Sequence, residues 1–89
     1  MKQSITIDQL SELTEEQKTK LKLIDRLPTF DIGGLFQLLE NDIDLMEITK
    51  KYYPQYDKNM WTIEHLYTNK IFISYELVDA LFEALKAVL

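Results

Sequence analysis

The clearest pattern of apolar and polar residues lies at the C-terminus, between Ser74 and Leu89, and repeats with the 3.6-residue period of an α-helix. The stretch contains no Gly or Pro and is rich in Ala, Leu, Glu and Lys, which favour helices. Ser74 stands where an N-cap residue is expected. We therefore predict a core helix around which the rest of the chain packs. Its wide apolar stripe comprises Leu77, Val78, Leu81, Phe82, Ala84, Leu85, Val88 and Leu89.

The outer part of this stripe, formed by Val78, Phe82 and Leu89, allows two interpretations. In the first, the same chain covers these side chains and the helix is the centre of a monomeric core. In the second, they form a surface that binds another subunit, as in a homodimer, or a partner protein. The sequence pattern is compatible with both.

The N-terminal part carries two helix-start signals. Thr6–Gln9 and Thr14–Gln17 each match the capping-box pattern, in which a Thr is followed three residues later by a Gln. Residues 1–5 precede both signals and are expected to fray. The two acidic residues that follow the second Thr strengthen the second signal, so the longer helix is predicted there.

This longer helix is predicted to begin at Glu15. It should end by Arg26 or Leu27, because the residue before a proline, here Pro28, is disfavoured in the helical region of φ and ψ. A connector then leads into the next helix.

The next helix is predicted over Ile32–Asn41, with Asp31 or Thr29 as its N-cap. Gly33 and Gly34 then fall in the first turn, where glycine is best tolerated. A phosphate-binding loop is not indicated, because the wider glycine spacing and the following Lys-Ser/Thr of that motif are absent.

The middle of the chain is predicted to contain two more short helices, over Leu45–Tyr53 and Met60–Tyr67. A turn at Asn41–Asp44 precedes the first, and a polar loop at Gln55–Asn59 separates the two. The run Ile71–Ile73 is β-prone and fits either an extended connector or one strand of a small hairpin. Because an isolated hairpin is only marginally stable, we expect an all-α fold: a small bundle of four to five short helices forming a single domain over residues 1–89.

Composition restricts the functional classes. With 89 residues, 46% of them hydrophobic, the chain can build one small core. It has no cysteine, so a disulfide framework and a thiolate metal site are excluded. The net charge of −5 disfavours binding to nucleic acid or to anionic membranes, which require clustered basic residues. We expect no transmembrane segment, no signal peptide and no cofactor.

Catalytic and metal-binding patterns are weak. His65 is the only histidine, and its neighbour Glu64 would not face it on a helix. Asp42, Asp44 and Glu47 are grouped like calcium ligands, but the glycine and the terminal glutamate of a twelve-residue calcium loop are absent. Capping of the following helix by Asp42 or Asp44 is the expected role, and an enzymatic function is not expected.

Aromatic residues concentrate in the middle third of the chain, beside several acids. Tyr and Trp are enriched at the energetically dominant positions of protein interfaces. Two interpretations follow: the aromatic side chains form a second layer of the core, or those that flank the polar loop are exposed and belong to a partner-binding patch. The residues predicted for such a patch are Asp42, Asp44, Glu47, Tyr53, Tyr56 and Trp61.

Two segments, Leu27–Leu39 (LPTFDIGGLFQLL) and Glu76–Leu89 (ELVDALFEALKAVL), together resemble small proteins of unknown function encoded by phages and prophages of Gram-positive bacteria. Those proteins carry an L-P-x-x-x-I-G-x-hydrophobic segment and a C-terminal L-x-D-A-L-W-E-A-x-K-x-V-L helix. This chain has Phe82 where Trp is expected, Val78 where Cys is frequent and Leu35 where Met is usual, all of which keep a packing role. The resemblance implies a mobile-element origin and a cytoplasmic location in a bacterial host cell.

Two functions are compatible with these observations. The first is a non-enzymatic accessory protein that binds a host or phage protein, acting as an acidic inhibitor of a host factor. The alternative is a structural or assembly component that works as a homo-oligomer through its C-terminal helix.

Overall fold

The computed structural model describes residues 1–22 and 30–89. Within these residues, the chain contains a three-stranded antiparallel sheet in addition to helices, so the predicted all-α helical bundle is wrong and the fold is mixed α/β. A single 3₁₀ turn at Ile43–Leu45 leads into the sheet. The elements are α1 (Ile7–Leu10), α2 (Glu15–Lys22), α3 (Ile32–Leu38), β1 (Met46–Tyr53), β2 (Lys58–His65), β3 (Ile71–Ser74) and α4 (Leu77–Val88).

The prediction of helices over Leu45–Tyr53 and Met60–Tyr67 is wrong, because these segments form β1 and β2. β1 contains Ile, Thr and two Tyr, and β2 contains Trp, Thr and Ile, all of which favour a pleated surface over a helix. The turn between them ends at Asp57, whose φ of 50° lies in the left-handed region that Asp tolerates. The run Ile71–Ile73, for which the sequence allowed a connector or a strand, belongs to the strand β3.

The strand order is β1-β2-β3, and the register assigns each side chain to one of two faces, since direct cross-strand partners share a face. We call the two faces the inner and the outer face. The inner face carries Met46, Ile48, Lys50, Tyr52, Asn59, Trp61, Ile63, His65, Phe72 and Ser74. The outer face carries Glu47, Thr49, Lys51, Tyr53, Lys58, Met60, Thr62, Glu64, Ile71 and Ile73.

The core lies between the inner face and the helices. Helix α4 packs on β2 and β3, and α3 packs on α4. Burial of apolar surface is the main stabilising contribution here. The largest fully buried side chains are Phe82, Leu35, Leu39, Ile63, Leu81, Leu85 and Val78.

Helix α4 confirms the predicted C-terminal helix but begins later than expected. Ser74, the predicted N-cap, is instead the last residue of β3. Glu76 occupies the N-cap position, and its side chain makes no capping hydrogen bond. Its carboxylate accepts the backbone N–H of Lys2 at 3.0 Å, so the start of α4 is tied to the N-terminus.

The first five residues, expected to fray, contact the rest of the fold. Ile5 is buried, and its backbone N–H donates to the carbonyl of Phe30 at 2.8 Å. The Lys2 ammonium lies 2.7 Å from the carboxylate of Asp79 on α4. These contacts attach the N-terminal segment to the helical layer.

The predicted helix starts are confirmed by hydrogen bonds. The capping box of Thr6 and Gln9 is complete, and Thr14 and Gln17 exchange bonds of 2.8 and 3.1 Å between backbone N–H groups and side-chain oxygens. Asp31 caps α3 by accepting the N–H of the third helical residue at 2.7 Å.

Other predictions concern ends of helices. Helix α3 ends at Leu38 rather than at Asn41, because the chain turns there towards the sheet. The predicted end of the second helix at Arg26 or Leu27, and the alternative cap Thr29, lie outside the described residues. Among the helices of residues 1–22 and 30–89, none combines the length and the apolar character needed to cross a membrane.

Candidate partner-binding surface

The partner-binding patch predicted from the sequence is divided between two ends of the sheet. Asp42 and Asp44 lie at the start of β1. Tyr53 ends β1, six residues after Glu47 on the same outer face, and a strand rise of about 3.3 Å per residue puts about 20 Å between them. Trp61 lies on the inner face instead. The acids and the aromatic residues therefore do not form one patch.

The acidic end contains the only histidine. His65 is buried on the inner face, where its Nε2 lies 3.6 Å from Oδ1 of Asp42 and its Nδ1 accepts the backbone N–H of Thr68 at 3.3 Å. Asp42 occupies the N-cap of the 3₁₀ turn without a capping hydrogen bond. Its carboxylate instead faces the imidazole, which fits a packing role for both residues.

The other end of the hairpin forms a surface of lysine and aromatic side chains. The Lys50 ammonium lies 5.4 Å from the ring centroid of Trp61, and that of Lys58 lies 5.1 Å from the ring of Tyr75. Both distances fall within the range of cation–π attraction. We call this set, Lys50, Tyr52, Lys58, Trp61 and Tyr75, the lysine–aromatic surface.

The surface is open because α4 packs on β2 and β3, whereas Lys50 and Tyr52 lie on β1. The inner face is buried at Met46 and Ile63, half-buried at Trp61, and exposed at Lys50 and Tyr52. The part of the inner face nearest the hairpin turn is thus accessible to a partner.

A cavity of about 330 Å³ lies at the edge of this surface. It is lined by Met1, Lys50, Trp61, Tyr75 and Glu76. The carboxylate of Glu76 accepts the Lys2 backbone N–H and keeps its negative charge, so the cavity combines two aromatic side chains with one ammonium group and one carboxylate. Such a site can hold an apolar side chain, with an anionic group beside the Lys50 ammonium.

The hairpin end is locally basic although the chain carries a net charge of −5. Residues 50–58 contain three lysines and one acid, Asp57. The Asp57 carboxylate accepts the hydroxyl of Tyr52 at 2.5 Å, and this hydrogen bond raises the pKa of Tyr52. The aromatic residues are therefore accompanied by cations rather than by the acids that the sequence suggested.

Of the lysine–aromatic surface, the predicted patch contained Trp61 alone and missed Lys50, Tyr52, Lys58 and Tyr75. A strand assignment would have found Lys50, because Lys50 and Trp61 are direct cross-strand partners. Tyr56 lies outside the lysine–aromatic surface, in the hairpin turn, where its ring centroid is 6.4 Å from that of Tyr53.

The candidate oligomer surface on α4 is covered by the chain itself. Val78 and Phe82 are fully buried in the core, and Leu89 is half-buried. A second copy has no access to the first two side chains in this structure.

The described residues contain no group of three or more His, Cys, Asp and Glu side chains arranged to hold a metal ion. In comparisons with protein-family models, with curated proteins and with solved structures, no match to this chain was found.

Proposed function

We propose that this chain is a non-enzymatic binding protein that recognises an acidic segment of a partner protein through the lysine–aromatic surface. The observation that supports this is the half-buried Trp61 with the Lys50 ammonium beside its ring and an open cavity next to both. Trp and Tyr supply much of the binding energy at protein interfaces. The lysines add electrostatic attraction for a carboxylate-rich partner.

The net negative charge of the chain favours a protein partner over nucleic acid. A nucleic acid is a long polyanion, and its affinity depends on many phosphate contacts. The lysine–aromatic surface offers two ammonium groups, Lys50 and Lys58, and the chain as a whole would repel the phosphates beyond them. A short acidic segment of a partner protein avoids this repulsion, because it does not extend to the acids on the rest of the chain.

We place this function in a bacterial cytoplasm, where the partner is a host or phage protein, on the basis of the resemblance to phage-encoded proteins. An acidic inhibitor acting through Asp42, Asp44 and Glu47 has less support, because the aromatic residues that would anchor it lie at the other end of the sheet. Assembly through Val78 and Phe82 also lacks support, since both are buried.

The test uses Trp61, the only tryptophan, as a fluorescent reporter at the site. A Glu-rich synthetic peptide with one central Leu is titrated into the protein, and a Lys-rich peptide with the same Leu serves as the comparison. We expect saturable change in Trp61 emission with the acidic peptide alone. Lys50→Glu should weaken binding about tenfold or more, because it replaces attraction by repulsion.

Lys18→Glu provides the matched control. It makes the same charge change on α2, where Lys18 forms a surface ion pair with Glu15, and it should leave peptide binding unchanged. If Lys50→Glu and Lys18→Glu weakened binding equally, the effect would be due to net charge alone, which would contradict the proposal. So would saturable binding of single-stranded DNA in place of the acidic peptide.

A further inference from the structure

The outer face lies on the side of the sheet opposite α4 and is exposed around its margin, whereas Thr62 at its centre is buried beneath neighbouring side chains. Ile71 and Ile73 on β3 are 55% and 42% exposed. Tyr53 and Met60 are half-buried, and the Tyr53 hydroxyl lies 2.7 Å from that of Thr62, so its ring lies back along the face. The centre of the outer face is therefore apolar and hydroxyl-bearing.

The charges of the outer face are separated between its two ends. Glu47 and Glu64 are direct cross-strand partners at one end, and Lys51 and Lys58 lie at the other. Like charges directly opposite each other destabilise a sheet. Repulsion between Glu47 and Glu64 therefore destabilises the isolated chain, and cations from another molecule would relieve this repulsion.

We propose that the outer face binds the outer face of a second copy of this chain, in antiparallel orientation. A two-fold axis that lies between the two faces and runs across the strands reverses the strand direction. It brings the acidic end of each copy, Glu47 and Glu64, onto the lysine end of the other, Lys51 and Lys58. An axis along the strands would oppose acids with acids, so the charges select one orientation.

This charge arrangement identifies a second copy as the occupant. In a two-fold symmetric interface the same surface must complement itself, and the outer face does so with two acids and two lysines around an apolar centre. Three strands about 4.8 Å apart make a small interface, so a weak dimer is expected rather than an obligate one.

The dimer and the proposed peptide site share one residue, Lys58, which lies on the outer face. Lys50 and Trp61 lie on the inner face and stay accessible to a partner when two outer faces meet. The substitutions Glu47→Lys and Glu64→Lys leave every residue of the peptide site unchanged, so a loss of self-association in that double variant is distinguishable from a failure of peptide binding.

The experiment is sedimentation equilibrium of the full chain over a range of concentrations and salt. Two double variants carry the test: Glu47→Lys with Glu64→Lys, and Lys51→Glu with Lys58→Glu. Each makes the outer face uniformly charged, so its self-association should weaken about tenfold or more. Circular dichroism establishes that each variant is folded.

Mixing the two double variants provides the sharpest test. An all-lysine face is complementary to an all-glutamate face, so the mixture should form a one-to-one heterodimer at concentrations where each variant alone is monomeric. The quadruple variant that exchanges both ends should regain self-association. A wild-type chain that stays monomeric at every concentration, or a mixture that stays monomeric, would overturn the proposal.

Discussion

The substitution Phe82→Glu distinguishes a core role of α4 from an oligomer surface on it. If Phe82 faced a second copy, the variant would be a folded monomer. In the structure, however, Phe82 is 1% exposed and lies within the core between the sheet and α3. We therefore expect Phe82→Glu to be unfolded.

The expected loss is comparable with the whole stability of a chain of this size. Removing a buried phenyl ring costs about 3–5 kcal/mol, and an unpaired carboxylate in the core adds a further penalty. The nearest cation, Lys86, already pairs with Glu12 and Glu83 at 2.9 and 2.8 Å. At about 0.05–0.15 kcal/mol per residue, a chain of 89 residues has roughly 4–13 kcal/mol.

Far-UV circular dichroism and a two-dimensional amide NMR spectrum measure the outcome. Phe82→Glu should lose the dispersed spectrum of a folded chain. Ala87→Glu is the matched control, because it introduces the same charge at an exposed position of α4, and it should remain folded. A folded, monomeric Phe82→Glu variant would refute the assignment of Phe82 to the core.

Three further predictions concern local interactions. Asp31→Ala removes the N-cap of α3 and should reduce the free energy of unfolding in urea by about 1 kcal/mol. Asp79→Asn removes the charge that holds the Lys2 ammonium at 2.7 Å, so it should cost about 1 kcal/mol or less, because the pair is partly exposed. The Asp57 carboxylate raises the pKa of Tyr52, so this contact stabilises the fold below the ordinary tyrosine pKa and is lost as the pH rises through the raised value. NMR titration of the Tyr52 ring should show its pKa above the ordinary tyrosine value, and Asp57→Asn should return the pKa of Tyr52 towards that value.

The sequence predicted the helices whose pattern is set by burial and capping. Helix α4 buries six of its twelve residues, and its exposed positions are few, so its apolar period is easily recognised. The hydrogen bonds of Thr6, Thr14 and Asp31 are local, and the residue types that form them are visible within four positions. These elements need no information from distant parts of the chain.

The strand β1 escaped prediction because its inner side chains are not all buried. Lys50 and Tyr52 lie on the inner face but belong to β1, whereas α4 packs on β2 and β3, and both side chains are exposed. The alternation of apolar and polar residues that identifies a strand is therefore interrupted at the lysine–aromatic surface. The apolar pair Ile48 and Tyr52, four residues apart, then resembles a helical spacing.

The helix wrongly predicted over Leu45–Tyr53 also explains why the predicted patch combined acids with aromatic residues. In a helix, the six steps from Glu47 to Tyr53 would span about 9 Å. In the strand they span about 20 Å, which separates the acidic end from the hairpin turn. Trp61 is the direct cross-strand partner of Lys50, so it lies on the inner face, whereas Glu47 and Tyr53 lie on the outer face.

The central claim, that an acidic partner segment binds the lysine–aromatic surface, is tested most directly by NMR chemical-shift mapping with the Glu-rich peptide. We predict the largest changes at Lys50, at the Trp61 indole and at Tyr75, with little change at Asp44. Changes concentrated at Asp44 and Glu47, or no change at saturating peptide, would contradict the account.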